Sequence, residues 1–109
     1  MSYNKSIINF DKRYTITIDG LLFHKTCDMC PEQYDVYKGA KQVGYVRLRW
    51  GNLTVDFPDA LDKLIYHKKF KEEYKGCFND DNERMTYLKK IAKCIKEELK
   101  NVNKRTHNK

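Results

Sequence analysis

GYVRLRWGNLTVDF, residues 44–57, reads as two β-strands joined at Trp50-Gly51, and the pairing it dictates decides the fold. If Arg49 opposes Asn52, then Leu48 opposes Leu53, Val46 opposes Val55 and Gly44 opposes Phe57. The apolar members of both strands then share one face, so the register agrees with burial, because a slip of one residue would turn every one of them to water. Tyr45, Arg47 and Arg49 form the other face, with Asn52, Thr54 and Asp56 opposite them. Pro58, which has no N–H to give to a ladder, ends the second strand.

Working outward, RYTITIDGLLF reads as a hairpin with Asp19-Gly20 at the two central positions of a type I′ turn, both of which need positive φ. Ile18 then pairs with Leu21 and Ile16 with Phe23. YDVYKGAKQVGYVRLR is another hairpin, turning at Gly39-Ala40; an unbroken ladder sets Tyr34 opposite Tyr45 and Val36 opposite Val43, on the same face as the arginines. Within DALDKLIYHKKFKEEYKGCF, residues 59–78, the stretch 60–75 fits helix or strand; we read a turn followed by a strand around Lys63 to His67. Beyond it, Asp80 and Glu83 have the spacing of a capping box. Leu88, Ile91, Ala92, Ile95, Leu99 and Val102 recur as one helical stripe, flanked by Lys89, Lys93, Lys96 and Lys100. The expected architecture is an α+β fold: an antiparallel sheet of consecutive hairpins with one long C-terminal amphipathic helix packed on one face. Residues 1–102 make a single domain and 103–109 a basic flexible tail. One helix covers one face of the sheet and leaves the opposite face open.

The chain has 109 residues, 22 Lys+Arg against 15 Asp+Glu, and a net charge of +7. Such a balance favours anionic partners. The opening MSYNKSIINF lacks signal-peptide architecture and no apolar run has membrane-spanning length, so the protein is expected in the cytoplasm with no membrane partner. In that compartment Cys27, Cys30, Cys77 and Cys94 are expected as thiols, metal ligands or redox groups rather than structural disulfides. Cys94, beside the apolar stripe, reads as a buried thiol.

Three constellations carry chemistry. His24, Cys27 and Cys30 in HKTCDMCP, with Cys77, have the residue types for a tetrahedral zinc site; the alternatives are a loop of reduced thiols or a thioredoxin-like dithiol. The open face offers Tyr34, Tyr45, Arg47, Arg49, Asn52 and Thr54, with Lys38 and Lys41 at its rim. Aromatic rings stack on bases and guanidinium groups bond phosphate, which is how sheets hold single strands and nucleotides. Against this, Arg47 lies diagonal to Asp56, and a cross-strand ion pair on a solvated face is ordinary sheet chemistry. Trp50, at a hairpin tip, either folds back onto the core or anchors a partner. No catalytic motif is present: the serines are confined to Ser2 and Ser6, and there is no Gly-rich phosphate loop. The chain is expected to bind rather than catalyse.

CPEQYDVYKGAKQVGYVRLRWGNLTVDFP and GCFNDDNERMTYLKKIAKCI resemble a functionally uncharacterised family of small proteins encoded in bacterial genomes and phages. The resemblance implies context alone: an intracellular, mobile-element protein. The expected function comes from the open face itself: a module holding nucleic acid or nucleotide on the Tyr/Arg face. The alternative is a protein–protein interaction module, such as an anti-CRISPR-like phage inhibitor that binds a host protein, with zinc as a stabiliser if the cysteines take one. A homo-oligomer closing the open face is compatible with either.

Overall fold

The computed structural model describes residues 14–107. Six strands, β1 (Thr15–Ile18), β2 (Leu21–Lys25), β3 (Glu32–Lys38), β4 (Lys41–Arg49), β5 (Asn52–Phe57) and β6 (Lys63–Lys69), precede one helix, α1 (Asp81–His107). The strands form a single antiparallel sheet in the order β1-β2-β3-β4-β5-β6, so every strand pairs with its neighbours in sequence. This is the expected α+β arrangement, and each hairpin follows from its turn residues. Asp19 (φ 52) and Gly20 (φ 81) take the left-handed conformations a type I′ turn needs, as do Trp50 (φ 53) and Gly51 (φ 73).

The registers of β1 with β2 and of β4 with β5 are those read from the sequence: Ile18↔Leu21, Ile16↔Phe23, Leu48↔Leu53 and Arg49↔Asn52. The β3–β4 ladder departs from expectation. It shifts between Val36 and Tyr37, so Val36 faces Gly44, Tyr34 faces Val46 and Glu32 faces Leu48. The extra residue, Val43, lets both Val36 and Val43 reach the core. A bulge that hides two valines wins over an unbroken ladder that would expose them. Tyr34 turns inward with them and is 1% exposed. Its assignment to the open face is thereby corrected.

Helix α1 covers the apolar face with Leu88, Ile91, Ala92 and Ile95, all buried against Phe23, Val46, Leu48, Leu53 and Val55. Gly44 permits the approach, since a Cβ there would lie 2.8 Å from Ile95 Cδ1. At the helix start the Glu83 N–H donates to Asp80 Oδ1 (2.8 Å), while Glu83 Oε1 accepts from the Asn79 N–H (2.8 Å). The capping pair is thus the expected one, with its return bond one residue earlier. Helical structure reaches His107, so residues 103–107 are helical where a tail is expected. No helix among the described residues is long and apolar enough to cross a membrane.

The segment between β6 and α1 is fastened along the ends of β3 and β4. The Phe70 N–H donates to Gly51 O (2.7 Å), the Gly51 N–H to Lys75 O (2.9 Å) and the Glu32 N–H to Gly76 O (2.7 Å). Cys30 and Cys77 form a disulfide with a Cα–Cα distance of 5.5 Å. Lys75, buried here, pairs with Glu83 (3.0 Å) and lies over the Phe70 ring.

Candidate functional site

The side of β4, β5 and β6 turned away from α1 carries a concavity of about 360 Å³ lined by Arg47, Arg49, Trp50, Asn52, Thr54, Leu64 and His67. Four of the expected ligand residues, Arg47, Arg49, Asn52 and Thr54, come together in it. The period of a strand explains this: Arg47 opposes Thr54, Arg49 opposes Asn52, and Thr54 in turn opposes His67. His67 Nε2 donates to Asn52 Oδ1 (2.8 Å), and Asn52 Nδ2 donates to Trp50 O (3.0 Å). One chain of hydrogen bonds therefore joins the hairpin tip to the edge strand across the floor of the concavity.

Asp56 does not answer Arg47. Its Oδ2 accepts the Leu61 N–H (3.0 Å), closing the turn after Pro58. Among the described residues neither Arg47 nor Arg49 has a carboxylate partner, while Lys63, Lys75 and Arg84 each do. Among the described residues no carboxylate lines the concavity. Lys69 stands opposite Asn52 and adds a further cation beside it.

Tyr45 lies on the same face but outside the concavity, and its hydroxyl donates to Gln33 Oε1. Lys38 and Lys41 pair at the far end of the β3–β4 hairpin, away from Arg49. Trp50 is 59% exposed and meets Tyr74, 79% exposed, edge to face with ring centroids 5.8 Å apart. It does not fold back onto the core.

The proposed zinc residues are divided. Cys30 and Cys77 share a disulfide, so their sulfurs are not thiolates and cannot act as metal ligands in this state. The expectation that all four cysteines are thiols or ligands is corrected at these two. His24 and Cys27 line a separate dent of about 460 Å³ over β2 and β3, with Asp28 and Asp35. Burial, then the charge of Asp59, pushes the Asp35 carboxyl up, against the opposing pull of His24. Among the described residues no group of three or more His, Cys, Asp or Glu is arranged to hold a metal. Cys94 is half-buried on α1, and burial raises its thiol.

Sequence reasoning passed over two features. His67 joins the site through the β5–β6 register, which shifts between Val55 and Asp56 and so is not set by alternation alone. Glu32 is buried at 1% exposure on the covered side. It accepts from Arg84 Nε (2.6 Å), the Phe78 N–H (3.0 Å) and the Tyr34 hydroxyl. Burial pushes its carboxyl up, but the bonds from Arg84, Tyr34 and the Phe78 N–H outweigh it and hold the group below the usual carboxylate range. This buried network belongs to the architecture, not to the open face. No protein-family model matches the chain, nor does any curated protein or solved structure.

Proposed function

We propose that the protein is a small binding module that holds a phosphate-bearing ligand, nucleic acid or nucleotide, on the open side of β4, β5 and β6. The observation that carries this reading is the pair Arg47 and Arg49, two guanidinium groups lining one concavity without a carboxylate partner among the described residues. Guanidinium forks suit phosphate oxygens bidentately, and a pair free of competing acids keeps that capacity for a ligand. Asn52, Thr54 and His67 add polar groups for orientation. Trp50 and Leu64 supply an apolar wall. The net charge of +7 supports the same reading through long-range attraction.

Replacing Arg47 and Arg49 together with Gln tests it. Neither side chain faces the core, so the melting temperature should hold. Binding to an oligonucleotide should weaken by about 1–3 kcal/mol per lost contact. The slope of log affinity against log salt should flatten by about one to two units. Wild-type protein with no salt-dependent affinity for any oligonucleotide or nucleotide would defeat the proposal.

A second reading has its own support in the exposed Trp50, Tyr74 and Leu64. Exposed aromatics of this kind anchor protein partners, which fits a phage-encoded inhibitor acting on a host protein. Its mark would be capture of that protein at high salt, lost in Trp50→Ala.

A further inference from the structure

Trp50 occupies a position that its residue type does not favour. At φ 53 it sits in the left-handed region, where a bulky side chain is an outlier and Asn, Asp or Gly is the usual choice. The equivalent position of the β1–β2 turn holds Asp19 (φ 52), as turn chemistry prefers. Nor does Trp50 recover the cost by burial, since 59% of it faces solvent. A strained residue with little local reward points to a role outside the fold.

The surroundings fix where that role acts. Tyr74, the edge-on partner of Trp50, comes from a segment tied to the tip on both sides of Gly51: Phe70 donates to its carbonyl and its N–H donates to Lys75. The contact is so close that a Cβ on Gly51 would lie 2.6 Å from Glu72 O. The two rings are therefore held together on a braced tip. Trp50 and Arg49 border the same concavity, so an apolar π-surface lies beside a guanidinium that has no carboxylate partner among the described residues. Lys69, opposite Asn52 on this face, and Lys71 continue the positive charge at the end of β6 and past it, with Glu72 and Glu73 beyond them, all exposed.

We infer that the ligand of this face is single-stranded nucleic acid, one of whose bases stacks on the Trp50–Tyr74 pair while its phosphate meets Arg47 and Arg49. The inference rests on the phosphate-binding reading of those arginines. A single strand offers free base faces, whereas a duplex keeps its bases stacked inside. A lone nucleotide would leave Lys69 and Lys71 without a phosphate to follow.

Trp50 is the sole tryptophan, so its fluorescence reports the contact directly. Full-length protein is titrated with a thymidine oligonucleotide of roughly twelve residues, with the corresponding duplex, and with thymidine monophosphate; labelled-probe anisotropy supplies the affinities. The single strand should quench Trp50 and bind at least tenfold more tightly than the other two. Trp50→Asn, which suits the turn and should keep or raise the melting temperature, should weaken single-strand binding by about 5- to 100-fold with an unchanged salt slope, because stacking releases no counterions. Tyr74→Ala, on an exposed side chain, should act in the same direction. Equal affinity for all three probes, or full affinity in Trp50→Asn, overturns the inference and leaves the arginine reading standing. No binding of any probe to the wild type overturns both.

Discussion

Arg84, on the first turns of α1, reaches Glu32 at the start of β3, with Nε 2.6 Å from a carboxylate whose side chain is shut off from water. The same carboxylate accepts the Phe78 N–H, so one buried charge fastens the sheet, the segment before the helix and the helix itself.

Removing the cation should therefore do more harm than removing both charges. Arg84→Met strands Glu32 in the interior and should cost about 3–5 kcal/mol in denaturant unfolding. Adding Glu32→Gln to Arg84→Met should recover part of the loss. A single variant as stable as the wild type would contradict the burial of the pair.

Acid should expose the same group. The folded-state pKa of Glu32 lies below its unfolded value, so its contribution is present above the unfolded carboxylate pKa of about 4.3 and disappears as pH falls through the folded value. Glu32→Gln should thus lower stability at neutral pH and flatten the acid limb of a stability–pH curve below about pH 4.3. An acid limb identical in both proteins would assign the loss to other carboxylates.

Asp35 should behave with the opposite sign. Its pKa is raised in the fold, by burial and then by Asp59, so its ionised form is disfavoured there and costs stability at neutral pH. Asp35→Asn keeps an oxygen for the bond from Gln42 Nε2 and removes the charge. Thermal melts should show a gain near pH 7 that vanishes as the pH is lowered through the folded pKa of Asp35.

Two glycines should differ although both are crowded. Gly44→Ala meets Ile95 Cδ1, the movable end of a side chain, and should cost little. Gly51→Ala meets the Glu72 carbonyl at 2.6 Å and also holds a φ of +73, so nothing yields cheaply. Calorimetry should find Gly51→Ala the more damaging by about 1–3 kcal/mol.

The disulfide closes a loop spanning a sequence separation of 47. Cys77→Ser should lower unfolding stability by about 2–4 kcal/mol, and a reducing agent should do the same to the wild type while leaving the variant unmoved.

The parts of this molecule that were legible in its sequence are those set by neighbours in the chain. Asp19-Gly20 announces its turn by residue type, and alternation on either side of Gly51, from Gly44 to Phe57, delivers Arg47, Arg49, Asn52 and Thr54 to one face without any distant information. Simple alternation misplaces Tyr34, because the shift at Val36 follows from packing beneath α1 and not from the turn at Gly39-Ala40. Arg84 and Glu32 stand 52 positions apart, and no local pattern links a charge on a helix to one on a strand. Cys30 and Cys77 are hidden for the same reason, since four cysteines allow several pairings.

Strand β6 ends the sheet among the described residues, so one row of its backbone N–H and C=O groups has no neighbouring strand. Such a margin invites another chain to extend the ladder, and proteins discourage this by studding the margin with lysine. Lys68 and Lys69 stand on it, exposed and of one sign, while Lys63 is paired with Glu98. Repulsion between two such margins would oppose side-by-side pairing, and concentrated salt, by masking those charges, should be the condition that favours it.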